Sequence, residues 1–246
     1  MNLIAPLSLP LWLVFLLLVV ICYFIGGISF AYVVGKLFYH IDLRYEGSGN
    51  LGTTNALRCL GVPAGVVVLI LDGLKGVAAI YLARFFVPQN CTPQYYAGLS
   101  PLMRLVFHPG GYSASVAQWA LLTCALAAIL GHAFSPYLHF RGGKAMATTA
   151  GIIIAMEIKA VLVLLPLFLI VLLLTHYVSV ASITTAVGYP LTTLIFYPSL
   201  PFIILSVAAA LFVIWLHRSN IARLRNGTEN KFSFRRARPS SNGSGG

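Results

Sequence analysis

Long apolar runs broken by short polar punctuation set the plan of this chain. The runs fall at 9–38, 63–86, 113–132, 145–158, 159–175, 179–197 and 201–217, and about 20 apolar residues in a helix are enough to cross a bilayer core. One connection, 87–112, carries Pro88, Asn90, Pro93, Pro101, Pro109 and Gly110-Gly111 and is expected to be a long non-helical loop on the outer face. The stretch 145–175 could be one long tilted helix or two short ones meeting near Glu157–Lys159. Charge decides between them, because cytoplasmic loops collect Lys and Arg. With two helices there, Arg44, Arg58, Arg141, Lys144, Arg218, Arg223, Arg225 and the basic run 231–238 share one face, and only Arg84, Arg104 and Lys159 fall at the other. With one helix the basic tail lands outside. The pattern therefore predicts an all-α polytopic membrane protein of seven transmembrane helices, with N-terminus outside and C-terminus cytoplasmic. The 145–158 span is short, about 21 Å at 1.5 Å per residue. Residues 1–230 read as a single transmembrane domain and 231–246 as a basic, then Ser/Gly-rich, cytoplasmic tail.

Composition narrows the classes. Hydrophobic residues make up 59% of the 246 and charged residues 9%, where a soluble domain carries roughly 25% charge. A soluble globular protein, a disordered chain and a disulfide scaffold are all excluded; Cys22, Cys59, Cys91 and Cys124 are sparse and irregularly spaced. No Lys or Arg precedes Lys36, so the first run lacks the positive start of a secretory leader and is expected to be a spanning helix. The balance of 16 Lys+Arg against 5 Asp+Glu suits anionic headgroups and anionic substrates rather than nucleic acid, because the cations sit beside apolar spans. Asp42, Glu46, Asp72, Glu157 and Glu229 are the whole carboxylate supply and show no metal-site spacing, so metal-assisted chemistry on a carboxylate cluster is not expected. No internal repeat is visible.

On the predicted cytoplasmic face the polar residues gather into three motifs. The first, GSGNLGTTNALR, runs from Gly47 to Arg58. Gly47, Gly49 and Gly52 permit positive φ and can turn backbone N–H groups into an anion-binding concavity. Ser48, Asn50, Thr53, Thr54 and Asn55 add donors, and Arg58 adds a planar fork suited to phosphate. The GxGxxG match is weak, since it follows an apolar helix instead of a strand, and no Gly-Lys-Ser/Thr closes a P-loop.

The second motif, GHAFSPYLHFRGGKAMATT, runs from Gly131 to Thr149. Gly142 and Gly143 would let backbone approach a ligand, and Lys144 opens the following helix, where its charge and the helix N-terminus both favour an anion. Arg141 reads as a positive-inside residue. No aspartate follows His132 at the HxxxxD spacing, and His132 reads as an interfacial histidine of open role. The third motif, HRSNIARLRNGTE, runs from His217 to Glu229. His217 and Asn220, three apart, share a helical face, and a histidine there can bind phosphate or exchange a proton. Arg218, Arg223 and Arg225 read as headgroup anchors. Ser179 and Ser182 begin the sixth span on the same face. Asp72 and Lys75, at i and i+3, look like an intramembrane ion pair, either a staple or a functional group.

Together the three motifs, in their order and spacing, resemble the signatures of the bacterial acyl-phosphate-dependent glycerol-3-phosphate acyltransferases, over about residues 20–229. The resemblance implies a seven-helix inner-membrane enzyme, its site facing the cytoplasm, that moves an acyl chain from acyl phosphate to the 1-hydroxyl of glycerol 3-phosphate. Lysophosphatidic acid and phosphate would be the products, the bilayer the setting, and no metal, cofactor or obligate protein partner would be required. By motif it assigns Ser48, Thr54, Asn55, Arg58, Lys144, Ser182, His217 and Asn220 to phosphate binding or catalysis. Either His217 or a substrate phosphate oxygen would take the proton. Ala145-Met146 replaces the family's usual Gly-Val, Leu51 and Thr53 vary within the glycine loop, and 87–112 looks like an insertion. The competing reading is a transporter of organic phosphates, which would place its groups nearer the midplane.

Overall fold

A computed structural model describes residues 11–90 and 112–232, and these are all helix, turn and loop, with no strand among them. The helices are α1 Leu11–Gly27, α2 Phe30–Tyr39, α3 Thr53–Leu60, α4 Val62–Asn90, α5 Tyr112–Ala133, α6 Met146–Met156, α7 Ile158–Thr175, α8 Val178–Phe196, α9 Leu200–Leu216 and α10 Arg218–Arg225, with a 3-10 turn at Pro136–Leu138. Helix α4 continues to Asn90, into the segment expected as loop. The remainder of that loop with Cys91, and the tail past Phe232, lie outside the described residues.

Four helical segments are long and apolar enough to cross a membrane, or six if each of two bent pairs counts as one span, and α6 is a shorter apolar helix. The run expected as one span at 9–38 is such a pair: α1 and α2 meet at 41°. Ser29 caps α2, its Oγ accepting from the Tyr32 N–H at 3.3 Å. The break frees the Ile28 carbonyl, and Lys75 reaches across from α4 to donate to it at 2.6 Å. An apolar run of small residues and one serine gave no sign of this bend in the sequence.

The 145–175 region is two helices, divided at Glu157 as charge placement predicts. Glu157 is fully buried, and its two oxygens accept from Tyr189 Oη at 2.6 Å and Thr193 Oγ1 at 2.8 Å, both on α8. The helices pack through small residues, the usual membrane solution where backbones must come close. A Cβ on Gly151 of α6 would strike the Gly73 carbonyl of α4, and one on Gly131 of α5 would strike the Tyr23 carbonyl of α1. Leu162, Leu173, Leu174 and Ile195 point outward and are more than two-thirds exposed, the surface expected of helices solvated by lipid. One cluster of buried side chains joins α1, α4, α5, α6, α7, α8 and α9; a second, smaller one seats the loop after α2 against α3 and α4. That second core fixes the glycine loop to the bundle.

Candidate active site

The loop between α2 and α3 is held by a side chain from α3. Asn55 is 1% exposed; its Oδ1 accepts from the Ser48 N–H at 2.9 Å, and its Nδ2 donates to the carbonyls of Glu46 at 3.0 Å and Leu43 at 3.3 Å. Gly47 and Gly49 take φ of 62° and 68°, the left-handed region that glycine enters without strain. A Cβ on Gly47 would strike Asn55 Oδ1. These glycines shape the loop and do not line the cavity it borders. Ser48, Asn50, Gly52, Thr53, Thr54, Asn55 and Arg58 do, in a cavity of about 260 Å³. The Asn55 amide thus has its hydrogen bonds committed to the loop, where the motif assignment put it on substrate.

Lys144 enters the same cavity from the segment before α6. Its place is set by Gly142 and Gly143, which differ from expectation: they approach His132 rather than the cavity. The Gly143 N–H donates to the His132 carbonyl at 3.1 Å. A Cβ on Gly142 would strike that carbonyl, and one on Gly143 would strike the His132 ring and lie 2.6 Å from the Leu51 carbonyl. The pair therefore fastens the second motif to α5 and to the glycine loop. Lys144 Nζ donates to Asn220 Oδ1. Burial, with Arg223 and Arg58 nearby and only partly offset by Glu229, lowers its pKa to about 8.

The third wall is organised by Glu229. One oxygen accepts from Ser179 Oγ at 2.8 Å and Asn220 Nδ2 at 2.6 Å; the other accepts from Arg223 Nε at 2.7 Å. Burial pushes this carboxyl up, but the hydrogen bonds from Asn220, Arg223 and Ser179 outweigh it and hold the pKa below the usual value. Asn220 is thereby oriented, amide nitrogen on Glu229 and oxygen on Lys144. His217 sits at the 53° break between α9 and α10. Its Nδ1 donates to the Val213 carbonyl at 2.8 Å, which leaves Nε2 carrying the lone pair in the neutral ring. His217, Asn220 and Ser182 all line the cavity. Arg223 belongs to this wall and is not the headgroup anchor expected; exposed Arg218 lies over the Trp215 ring at 4.3 Å, as an interfacial residue would.

Residues 16–227 match the glycerol-3-phosphate acyltransferase family. The chain belongs to that family. It is 39% identical over 222 residues to the glycerol-3-phosphate acyltransferase of Lactiplantibacillus plantarum, covering 89% of this chain and 92% of that one. It is 41% identical over 216 residues to glycerol-3-phosphate acyltransferase 2 of Bacillus anthracis, covering 88% and 98%. Its fold is similar to crystal structures of PlsY (YgiH), an integral membrane glycerol 3-phosphate acyltransferase. The TM-score is 0.74 for the glycerol 3-phosphate form, at 31% identity with 89% of this chain and 96% of that one covered. For the lysophosphatidic acid form it is 0.71, at 30% identity with 90% and 96% covered.

In this acyltransferase the cavity also takes in residues that sequence reasoning left aside. Asp72, His132, Ser179, Arg223 and Glu229 all line it. Glu229 had a signal, since it ends the third motif and is one of five carboxylates. Asp72, expected as half of an intramembrane ion pair, lies 2.7 Å from Lys75 and 3.9 Å from His132 of the second motif. His132 Nδ1 is hydrogen-bonded to Thr148 Oγ1 at 3.1 Å. No spacing in the chain announces that α4 and α5 meet there.

Proposed function

We propose that this family member transfers an acyl chain from acyl phosphate to the 1-hydroxyl of glycerol 3-phosphate, releasing lysophosphatidic acid and phosphate. The observation that carries this is the convergence of Arg58, Lys144, His217 and Asn220, from three separated motifs, and of Ser182 from α8, on one cavity with an apolar side. Leu69, Phe168, Leu172 and Val178 form that side, where an acyl chain lies among helices. The names of the relatives supply the acceptor; the donor is our reading of the chemistry.

An acyl phosphate already carries a good leaving group, so the protein's part is positioning and charge neutralisation. Arg58 and Lys144 hold phosphate oxygens, with the donors at the start of α3 beside them. The attacking hydroxyl loses its proton to His217 Nε2, which Val213 keeps unprotonated in the neutral ring, or to a substrate phosphate oxygen. The C–O bond to phosphate breaks as the new ester C–O bond forms. Both cavity carboxylates are engaged by protein cations, Asp72 by Lys75 and Glu229 by Arg223, which favours phosphate neutralisation by side chains over a metal. Purified protein given acyl phosphate and glycerol 3-phosphate should release phosphate in excess chelator. Equal use of acyl-CoA, or activity lost in EDTA and restored by magnesium, would overturn the donor and metal readings.

We place the enzyme in a bacterial cytoplasmic membrane with seven spans: the α1–α2 pair, α4, α5, α6, α7, α8 and the α9–α10 pair. The N-terminus is outside and the cavity faces the cytoplasm. Residues 1–230 then form one domain and 231–246 its cytoplasmic tail. Cysteines substituted near Ser100 and Ser233 should label from opposite sides, and labelling from one side refutes the topology.

A further inference from the structure

Asp72 is 1% exposed yet lines the active cavity. Its Oδ1 faces Lys75 Nζ at 2.7 Å, while its Oδ2 is buried and accepts no hydrogen bond. The Phe30 N–H adds a weaker attraction, short of hydrogen-bond geometry. A buried carboxylate oxygen with no donor costs free energy unless a ligand supplies one. Thr53 Oγ1, also buried in the cavity wall, has no partner either. The cations of this cavity, Arg58, Lys144 and Arg223, suit phosphate oxygens; a carboxylate repels them and attracts an O–H.

We infer that Asp72 is the polyol-reading residue of the site, its Oδ2 accepting a hydrogen bond from a hydroxyl of the glycerol backbone while the phosphate lies on the cationic wall. Lys75 fixes the carboxylate, and is itself fixed by the Ile28 carbonyl that the α1–α2 break exposes. His132 Nδ1 lies 3.9 Å from the same Oδ1 that faces Lys75, which leaves Oδ2 as the oxygen open to a ligand. The arrangement selects phosphate monoesters bearing a free hydroxyl over those without one. A site that pairs a substrate hydroxyl with a buried acceptor rejects the analogue lacking it.

This inference rests on glycerol 3-phosphate being the acceptor, and the test separates the two. Binding to the full-length purified protein is measured for glycerol 3-phosphate, 1,3-propanediol monophosphate and n-propyl phosphate, alongside turnover with acyl phosphate. Wild type should bind n-propyl phosphate roughly 10- to 100-fold more weakly than glycerol 3-phosphate, the scale of one hydrogen bond to a charged group. The propanediol ester tells which hydroxyl is read. In Asp72→Asn, KM for glycerol 3-phosphate should rise while n-propyl phosphate affinity stays unchanged, so discrimination shrinks. The double variant Asp72→Leu/Lys75→Met, which removes both buried charges together, should lose it altogether. Equal binding of the propyl and glycerol esters by wild type overturns the inference without any variant, as does parallel weakening of both ligands in Asp72→Asn. Absence of turnover in wild type that still discriminates would instead count against the proposed reaction.

Discussion

Replacing Asn55 by Asp exchanges one atom pair and should cost more than removing the side chain. In the native protein the amide accepts from the Ser48 N–H and donates to the Glu46 and Leu43 carbonyls. Asn55→Ala loses three hydrogen bonds worth about 1 kcal/mol each, a total of about 3 kcal/mol, moderated where water enters the gap. Asn55→Asp keeps the contact to Ser48 but aims a carboxylate oxygen at two carbonyl oxygens, 3.0 and 3.3 Å from the atom it replaces. Two donor contacts become repulsions, and a charge is buried with only the Ser48 N–H to meet it and no cation partner, a penalty of several kcal/mol. The loop should then detach from α3, taking Ser48 and Asn50 out of the cavity. Thermal unfolding in detergent and steady-state kinetics with varied glycerol 3-phosphate read both consequences. The expected order of melting temperature is wild type, then Ala, then Asp, with KM rising in the same order. A Asn55→Asp protein that melts like wild type but has lost phosphate affinity would refute the reasoning, because Asn55 would then act on the ligand and not on the loop.

The remaining predictions concern Lys144, Lys75 and Glu157. With its pKa lowered to about 8, Lys144 holds its charge below that pH and loses it above, so kcat/KM for glycerol 3-phosphate should fall on the alkaline side of pH 8. The kcat profile should break at higher pH, since bound phosphate stabilises the ammonium. Lys144→Ala should lower turnover by at least about 100-fold in folded protein, the scale of one lost transition-state contact, and should abolish that alkaline limb. Lys75→Ala should destabilise by about 3–5 kcal/mol, because it strands both Asp72 and the Ile28 carbonyl; chemical unfolding of Lys75→Ala beside Asp72→Leu/Lys75→Met measures it, and the double variant should recover much of the loss. Glu157→Gln should melt near wild type, since hydroxyls of Tyr189 and Thr193 can pair with an amide. Glu157→Ala should melt well below it.

The sequence exposed the site where polar residues stood out against an apolar chain. Lys144, Arg58 and the His217–Asn220 pair were legible for that reason, and so was the helix break at Glu157, where two charges interrupt a long apolar run. The α1–α2 break was illegible because Gly26, Gly27, Ile28 and Ser29 all suit the interior of a spanning helix. Gly142 and Gly143 announced a close approach but not to what; only the packing of α5 makes their partner His132. Asp72 announced a buried pair, yet its place in the cavity depends on α4 crossing α5 and α6, a contact with no sequence periodicity of its own. Asn55 shows the opposite limit: a motif position can be essential through the backbone it holds.

The shortness of α6 has a consequence for where catalysis sits in depth. Its 11 residues rise about 16 Å, roughly half of a hydrocarbon core, so its two ends cannot both reach headgroups. One end carries Lys144, whose Nζ donates to Asn220, and the other Glu157, which accepts from Tyr189 and Thr193. In the proposed topology a helix this short leaves one end part-way through the slab; if that is the Lys144 end, phosphate would be bound below the lipid surface, toward the level at which an acyl carbonyl lies when its chain is embedded. The enzyme would then receive one substrate from water and one sideways from the membrane without lifting the acyl chain out. Bilayer thickness becomes a variable of the reaction: reconstitution in lipids of increasing chain length should change the KM for the acyl donor more than that for glycerol 3-phosphate.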